Sequence, residues 1–144
     1  MKLITTAILA LSTFLSSAQP ASLVAAEAAA RKDGKQILLR FSGSDWCIPC
    51  IRLEKAVFEK EVFLSYASTH LVLMQADFPR LPKHKLSKEQ QAENEALAAL
   101  YDKDGSFPLV VLLNPDGSVV KRWEAAAVGT ADEFVATLQR LAHD

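Results

Sequence analysis

The amino-acid sequence predicts an α/β domain in which helices cover both faces of a mixed β-sheet. Short apolar runs bounded by turn residues alternate with longer amphipathic segments, which is typical of strands connected through helices. Strands connected in this way run parallel to each other. Two apolar segments near the C-terminus are separated only by the turn at residues 114–117, so we expect them to form an antiparallel hairpin.

The N-terminus has the features of a secretory signal peptide. Lys2 precedes an apolar stretch at residues 3–15, and small residues follow as far as Ala18. The stretch is shorter than the roughly 20 residues that a membrane-spanning helix needs, although an uncleaved anchor is the alternative. We expect residues 1–18 to be removed and residues 19–144 to form a single domain.

Composition and export narrow the classes of function. Cleavage would remove one lysine and no acid, which changes the net charge from −1 to −2. Such a balance does not suggest binding to nucleic acid or to a membrane surface. We expect a monomer that is exported, in the periplasm or as a secreted protein, without stable membrane insertion after cleavage. Disulfides can persist in these compartments, and the chain has two cysteines.

The first predicted elements are a helix, a strand and a second helix. Residues 21–33 are rich in alanine and should form a helix that ends at Gly34. Residues 37–41 are a short apolar run, as expected for a strand buried on both faces. Arg40 is the exception in this run, because it is charged. An amphipathic helix should follow over residues 47–60 and continue, after a bend, at residues 62–67.

A second strand, a basic loop and a helix are predicted next. Residues 70–78 resemble another buried strand. Residues 79–88 form a basic loop with two prolines, which we interpret as a solvated surface rather than a partner contact. Ser87 with Gln90 is a capping-box pattern that opens a helix through Tyr101.

The C-terminal part should contain the hairpin and a last helix. Residues 107–113 are the best candidate for a central strand, and the turn at residues 114–117 joins them to residues 118–123. Thr130 and Glu133 form a second capping-box pattern, which opens the final helix.

The cysteines lie where thiol chemistry is favoured. Cys47 and Cys50 follow a strand and a Ser-Gly-Ser-Asp turn, at the start of the second helix. Free N–H groups and the positive end of the helix dipole stabilise a thiolate there. Pro49 fits a first helical turn, where its missing N–H costs nothing. We expect Cys47 to be the exposed attacking thiol and Cys50 the more buried, resolving thiol.

Two other interpretations of the cysteine pair remain open. The pair could be half of a zinc site, but such a site needs four ligands, and the candidates His70, His84 and His143 are scattered. It could also be an inert structural disulfide, although a bridge that closes so small a loop constrains little of the chain. We therefore favour the redox interpretation.

The motif Trp-Cys-x-Pro-Cys after an apolar strand resembles the active site of the thioredoxin superfamily. The longer stretch at residues 41–50 is similar to exported bacterial thioredoxin-like, thiol:disulfide interchange proteins. The likeness extends to residues 72–79 and 107–117 and covers about residues 36–124. It implies a thioredoxin-like fold and thiol–disulfide oxidoreductase activity without a cofactor or metal. It also implies protein disulfide or dithiol substrates and an upstream redox partner protein.

The same resemblance assigns roles to residues outside the pair. Phe107-Pro108 occupies the place of an X–Pro pair with a cis peptide bond, which in the family lies beside the cysteines and pairs with substrate backbone. Leu109 follows, where the family often has threonine, and this leaves substrate preference open. Trp46 is expected to pack beside the thiols. We therefore predict substrate binding by Trp46, Phe107 and Pro108.

One feature of the family is missing. Thioredoxins have a buried aspartate six residues before the first cysteine, and Phe41 stands there in this chain. The lysine that accompanies it on the next strand is also missing. Glu54, one helical turn after Cys50, is the candidate substitute as proton relay, and the alternative is a solvated Glu54 paired with a nearby lysine. Asp45 either caps the active-site helix or faces solvent.

The leading hypothesis is an exported thiol–disulfide oxidoreductase that reduces or exchanges disulfides in envelope or secreted proteins. The alternative is a non-catalytic thioredoxin-like module that binds peptides in the groove around Trp46 and Phe107.

Overall fold

The computed structural model describes residues 19–124 and 127–142, within which five α-helices surround a four-stranded β-sheet. The predicted signal peptide therefore lies outside the described residues. No helix in the described part of the chain is long and apolar enough to cross a membrane. The helices are α1 (Ala21–Asp33), α2 (Ile48–Leu53), α3 (Glu61–His70), α4 (Lys88–Tyr101) and α5 (Ala131–Leu141), and the strands are β1 (Gln36–Ser42), β2 (Leu71–Asp77), β3 (Leu109–Leu113) and β4 (Val119–Glu124).

The sheet has the strand order β2-β1-β3-β4 and is mixed, as predicted. β1 runs parallel to β2 and antiparallel to β3, and β3 and β4 form the antiparallel hairpin. The expectation that helix-connected strands run parallel is confirmed for β1 and β2 but was wrong for β3, which follows β2 through α4 and runs in the opposite direction. Every residue of β3 is buried, which confirms it as a central strand. The strand predicted at residues 70–78 forms as β2, but the expectation that it is buried was wrong, because β2 pairs only with β1 among the described strands and so lies at the edge of the sheet. At this edge Leu73 is 44% exposed, and His70 ends α3 rather than starting the strand.

Helices cover both faces of the sheet. Side chains alternate between the faces along β1, so that Leu38 packs with one set of helices and its neighbours with the other. α1 and α4 cover the face formed by Ile37, Leu39 and Phe41, whereas α2, α3 and α5 cover the face of Leu38, Val110 and Leu112. The chain therefore has two apolar layers, one on each face of the sheet, and β1 contributes side chains to both. The cysteine motif follows β1 in the sequence.

The active-site helix is interrupted, contrary to the continuous helix predicted over residues 47–60. α2 ends at Leu53, and a π-helical turn, Glu54–Phe58, continues it before the bend that leads into α3. A π turn accommodates an extra residue in the helix, and here both Val57 and Phe58 are buried in the same core. This wider turn positions Glu54 and Phe58 towards Arg40 of β1.

The caps predicted at Gly34 and Thr130 form completely, and the one predicted at Ser87 forms in part. Gly34 adopts the left-handed conformation, with φ 65°, and its N–H donates to the carbonyl of Ala30. At Thr130 both halves of the capping box form. At Ser87 only one half forms: its hydroxyl accepts from the Gln90 N–H, but the Gln90 side chain donates to Asn94 instead of returning to the cap.

Candidate active site

The cysteine motif starts where β1 meets α2. The strand ends at Ser42, and the Cys47 N–H donates to the carbonyl of Gly43 at 2.8 Å, which closes the turn between them. A Cβ atom at Gly43 would overlap the indole of Trp46, so the turn needs a glycine at this position. The turn thus places Cys47 directly before the first residue of α2.

Cys47 and Cys50 form a disulfide with their Cα atoms 5.2 Å apart. Cys47 is the N-cap residue of α2, and its sulfur accepts a hydrogen bond from the Cys50 N–H at 3.3 Å. The predicted difference in exposure is absent from this bridged form, because Cys47 is 5% exposed and Cys50 4%. The reason is that the Cys47 side chain turns inward to the bridge and to the helix N–H rather than outward to solvent.

Aromatic side chains and a proline surround the bridge. The Trp46 ring makes an edge contact with Phe107 at 5.8 Å between ring centroids, and Phe107 makes a similar contact with Phe78 at 5.4 Å. The Trp46 indole N–H donates to the carbonyl of Phe78 at 2.7 Å. The Phe107-Pro108 peptide bond is cis, and Pro108 lines a small cavity together with Cys50. The structure thus brings together the three residues predicted to bind substrate.

Asp45 neither caps α2 nor lies free in solvent, which corrects both expectations. Its carboxylate accepts the backbone N–H groups of Arg80 and Leu81, each at 2.9 Å, and lies 3.0 Å from His84 Nδ1. Burial alone would raise the pKa of Asp45, but these hydrogen bonds and the charge of His84 outweigh it and lower the pKa. Asp45 therefore fastens the loop after β2 to the cysteine motif.

Arg40 and Glu54 form a second polar group beside the bridge. Arg40 Nη1 donates to Glu54 Oε2 at 2.5 Å, and the guanidinium lies over the Phe58 ring at 4.5 Å. Glu54 therefore pairs with an arginine of β1, not with the lysine of the alternative interpretation. A cavity of about 10 Å³ is lined by Arg40, Glu54 and Cys50, among others. Phe41, in the place of the missing aspartate, is fully buried.

Sequence reasoning did not identify Arg40 as a site residue. The available signal was a single charge within an apolar strand. A larger groove of about 330 Å³ opens next to this pair and is lined by Cys50, Glu54 and Glu59, among others. Cys50 thus lies between a small cavity that contains the Arg40–Glu54 pair and an open groove.

The zinc interpretation finds no support in the described residues. No group of three or more His, Cys, Asp or Glu side chains within residues 19–124 and 127–142 is arranged to hold a metal ion. His70 stacks on Tyr66 with ring centroids 4.3 Å apart, and His84 contacts Asp45. His143 lies outside the described residues.

Comparison with known proteins agrees with this geometry. The model of a family described as thioredoxin-like matches residues 18–115. A Chlamydia pneumoniae protein named disulfide bond reductase DsbH is 35% identical over 92 residues, which cover 64% of this chain and 54% of that protein. The present chain thus spans about half the length of this curated relative.

Solved structures show the same fold. A structure named DsbH oxidoreductase superposes with a TM-score of 0.74 at 29% identity, over 82% of this chain and 79% of that one. A disulphide isomerase from Xylella fastidiosa Temecula1 superposes with a TM-score of 0.58 at 22% identity, over 92% and 97% of the two chains, and this likeness shows the fold alone. Because the family match spans most of the sequence and includes both cysteines, the chain belongs to the thioredoxin-like family.

Proposed function

We propose that this protein is an exported thiol–disulfide oxidoreductase that reduces or exchanges disulfides in envelope or secreted proteins. The observation that carries the proposal is the Cys47–Cys50 bridge at the start of α2, beside half-buried aromatic side chains. Similarity to a protein named disulfide bond reductase favours the reducing direction. Export rests on the signal-peptide pattern of residues 1–18, whose removal would leave residues 19–144 as a single domain.

The cycle begins with the dithiol form. The Cys47 thiolate attacks one sulfur of a substrate disulfide, that S–S bond breaks, and the leaving cysteine takes up a proton. The Cys50 thiolate then attacks the Cys47 sulfur of the mixed disulfide and releases the second substrate thiol. The substrate gains two electrons and two protons, and the protein is left with the bridge between Cys47 and Cys50. An upstream redox partner protein returns the two electrons.

The surroundings of the bridge suit these roles. Cys47 occupies the end of α2 where N–H groups and the helix dipole favour a thiolate. Trp46, Phe107 and Pro108 would form the surface on which the substrate chain lies, since they meet next to the thiols. Ile48 is 55% exposed beside Cys47 and extends this surface with an apolar side chain.

Glu54 is our candidate for the proton acceptor of Cys50. The two residues line the same cavity, whose volume of about 10 Å³ is close to the space that one water molecule needs. Arg40 holds the Glu54 carboxylate in place through a side chain that is only 14% exposed. Arg40 is thus a positioning residue for the Glu54 carboxylate.

Cysteine variants test the proposal. Cys47→Ser should abolish disulfide exchange, because no attacking thiol remains. Cys50→Ser should retain the first step and accumulate covalent complexes with substrate, because the mixed disulfide cannot be resolved. Turnover of an insulin-type disulfide assay and non-reducing gel electrophoresis measure the two effects. Full activity in both variants would refute the site assignment.

The reduction potential of the pair, measured by equilibration with glutathione, decides the direction. A value of about −250 mV or lower is expected for a reductase, whereas about −120 to −180 mV would indicate an oxidant or isomerase. A pair that never cycles, combined with stoichiometric peptide capture by the double-serine variant, would favour the peptide-binding module. The half-buried pair of Trp46 and Phe107 is the observation on which that alternative depends.

A further inference from the structure

The loop between β2 and α4 concentrates positive charge next to the cysteine motif. We call residues 79–88 the basic loop. It contains four Lys or Arg residues and no Asp or Glu, although the whole chain has a net charge of −1. The four cations are all exposed, and they are Arg80, Lys83, Lys85 and Lys88.

The basic loop is fixed to the active-site turn at several points. Asp45 binds its backbone at Arg80 and Leu81, and the Arg80 guanidinium lies over the Trp46 ring at 3.6 Å from the centroid. Trp46 is the residue directly before Cys47. The loop therefore holds a defined position beside Cys47, and the Arg80 guanidinium covers one face of the Trp46 ring.

The residues that precede the loop are tied to the same turn. Asp77 accepts the backbone N–H of Ser44 at 2.8 Å and its hydroxyl at 2.6 Å, while the Phe78 N–H donates to the carbonyl of Ser42 at 2.8 Å. These hydrogen bonds fix the backbone at the start of the loop, so a partner would not have to order that part of the backbone on binding.

Asp45 and Asp77, the acidic groups that bind the loop backbone and the adjoining turn, form no ion pair with the lysines of the loop among the described residues. Asp45 and Asp77 accept hydrogen bonds from the turn and from the loop backbone, and the Asp45 side chain is only 5% exposed. Lys83, Lys85 and Lys88 make no side-chain hydrogen bond or ion pair with any part of the chain that the structure describes. Their charges are thus available to a partner.

We infer that the basic loop is a docking surface for an acidic polypeptide segment that flanks the disulfide of a substrate or redox partner. The inference rests on the proposed function and adds the class of partner. Exposed charges of one sign beside a reactive group attract an oppositely charged partner and increase its association rate by about tenfold or more at low ionic strength. A polypeptide is favoured over an anionic membrane because the loop adjoins Trp46 and Cys47, where a protein disulfide has to approach.

The test compares two disulfide-bridged peptides that differ only in their flanking residues, glutamate in one and lysine in the other. The reduced protein should react about tenfold faster with the glutamate peptide at low salt, and sodium chloride at about 0.5 M should remove most of this preference. The double variant Lys83→Glu/Lys85→Glu should lose or reverse the preference. Single-turnover kinetics, followed by tryptophan fluorescence, give the rates.

The matched control is Lys32→Glu/Lys121→Glu, which makes the same change in net charge at exposed positions in α1 and β4, away from the loop. It should keep the preference of the parent. Equal rates for the two peptides in the parent, or equal effects of the two double variants, would overturn the inference.

A binding measurement with peptides that cannot react distinguishes a failure of this inference from a failure of the proposed function. Anisotropy of the same labelled peptides with serine in place of their cysteines should show tighter binding of the glutamate peptide, lost in Lys83→Glu/Lys85→Glu, even if no disulfide is ever reduced. A failure of turnover with every peptide, including one with neutral flanks, would count against the proposed function alone. Tighter binding to phosphatidylglycerol vesicles than to the glutamate peptide would overturn the polypeptide assignment.

Discussion

At Arg40, a charge within an otherwise apolar strand is stabilised by three neighbours. Glu54 accepts its hydrogen bond, Phe58 lies under its guanidinium, and Gln75 of the adjacent strand lies 3.4 Å from Nη2. Two of these partners come from the π-helical turn, whose geometry no local sequence pattern predicts. For this reason the spacing from Cys50 was sufficient to select Glu54 as a candidate, while its partner Arg40 emerged only from the fold.

We predict that Glu54→Gln slows the resolution of the mixed disulfide at neutral pH. A positioned general base contributes about 10²-fold or more to proton transfer, and glutamine cannot accept the Cys50 proton. The effect should shrink as the pH rises above about 8.5, because the thiol then ionises without a base. The measurement is the decay of a preformed mixed disulfide between about pH 6 and 9, followed by quenched-flow and mass spectrometry.

Glu59→Gln is the matched control, since Glu59 lines the larger groove beside Cys50 but not the small cavity with Arg40. It should leave the pH profile unchanged, and Glu54→Asp should restore part of the lost rate. A Glu54→Gln protein that decays at the parent rate across the whole range would exclude the relay.

Among the elements, the caps of α1 and α5 were predictable from the sequence, whereas the exposed edge position of β2 was not. Caps depend on residues within one turn, so Gly34 and Thr130 could be identified from sequence alone. The position of β2 at the sheet edge depends on which strand pairs with β1, and β3 takes the other side of β1. An apolar run such as residues 71–76 is compatible with either position, and only the long-range pairing distinguishes them.

The two capping-box patterns should differ in their contribution to stability. Thr130→Ala would remove a hydroxyl that accepts from the Glu133 N–H and donates to the Glu133 carboxylate, so we expect a loss of about 1–2 kcal/mol in the free energy of unfolding. Ser87→Ala removes a single hydrogen bond at a half-formed box and should cost about 0.5–1 kcal/mol. Urea unfolding of both variants measures the difference, and a larger loss at Ser87 would contradict it.

For the whole molecule, the family resemblance and the order of elements gave the fold, because alternating helices and strands allow few sheet topologies. β1 contributes to both apolar layers and ends directly at the cysteine turn, so the most buried strands of the sheet hold the site in place. The anchoring of the basic loop by Asp45 could not be predicted, since Asp45 and Arg80 are far apart in sequence and meet only because β1 and β2 run parallel and end together.

The pH dependence of global stability should carry opposite contributions from two aspartates. Asp102, after α4, is 3% exposed, and burial raises its pKa despite opposing hydrogen bonds from Ser106 and Gly105. An aspartate whose pKa is higher in the folded state than in the unfolded state stabilises the fold at a pH below its unfolded-state pKa, which is about 3.9. This contribution is lost as the pH rises through the folded-state pKa. We therefore predict that the stability of the parent relative to Asp102→Asn decreases between about pH 3 and 7.

Asp116→Asn is the control of opposite sign. The Ser118 hydroxyl and N–H donate to the Asp116 carboxylate in the β-hairpin turn and lower its pKa. Its stabilising contribution is therefore present above the unfolded pKa and is lost as the pH falls through the folded value. The stability of the parent relative to Asp116→Asn should thus increase over the same pH range. Urea unfolding of the three proteins at each pH measures both trends, and parallel slopes for the two variants would show that burial does not control the ionisation of Asp102.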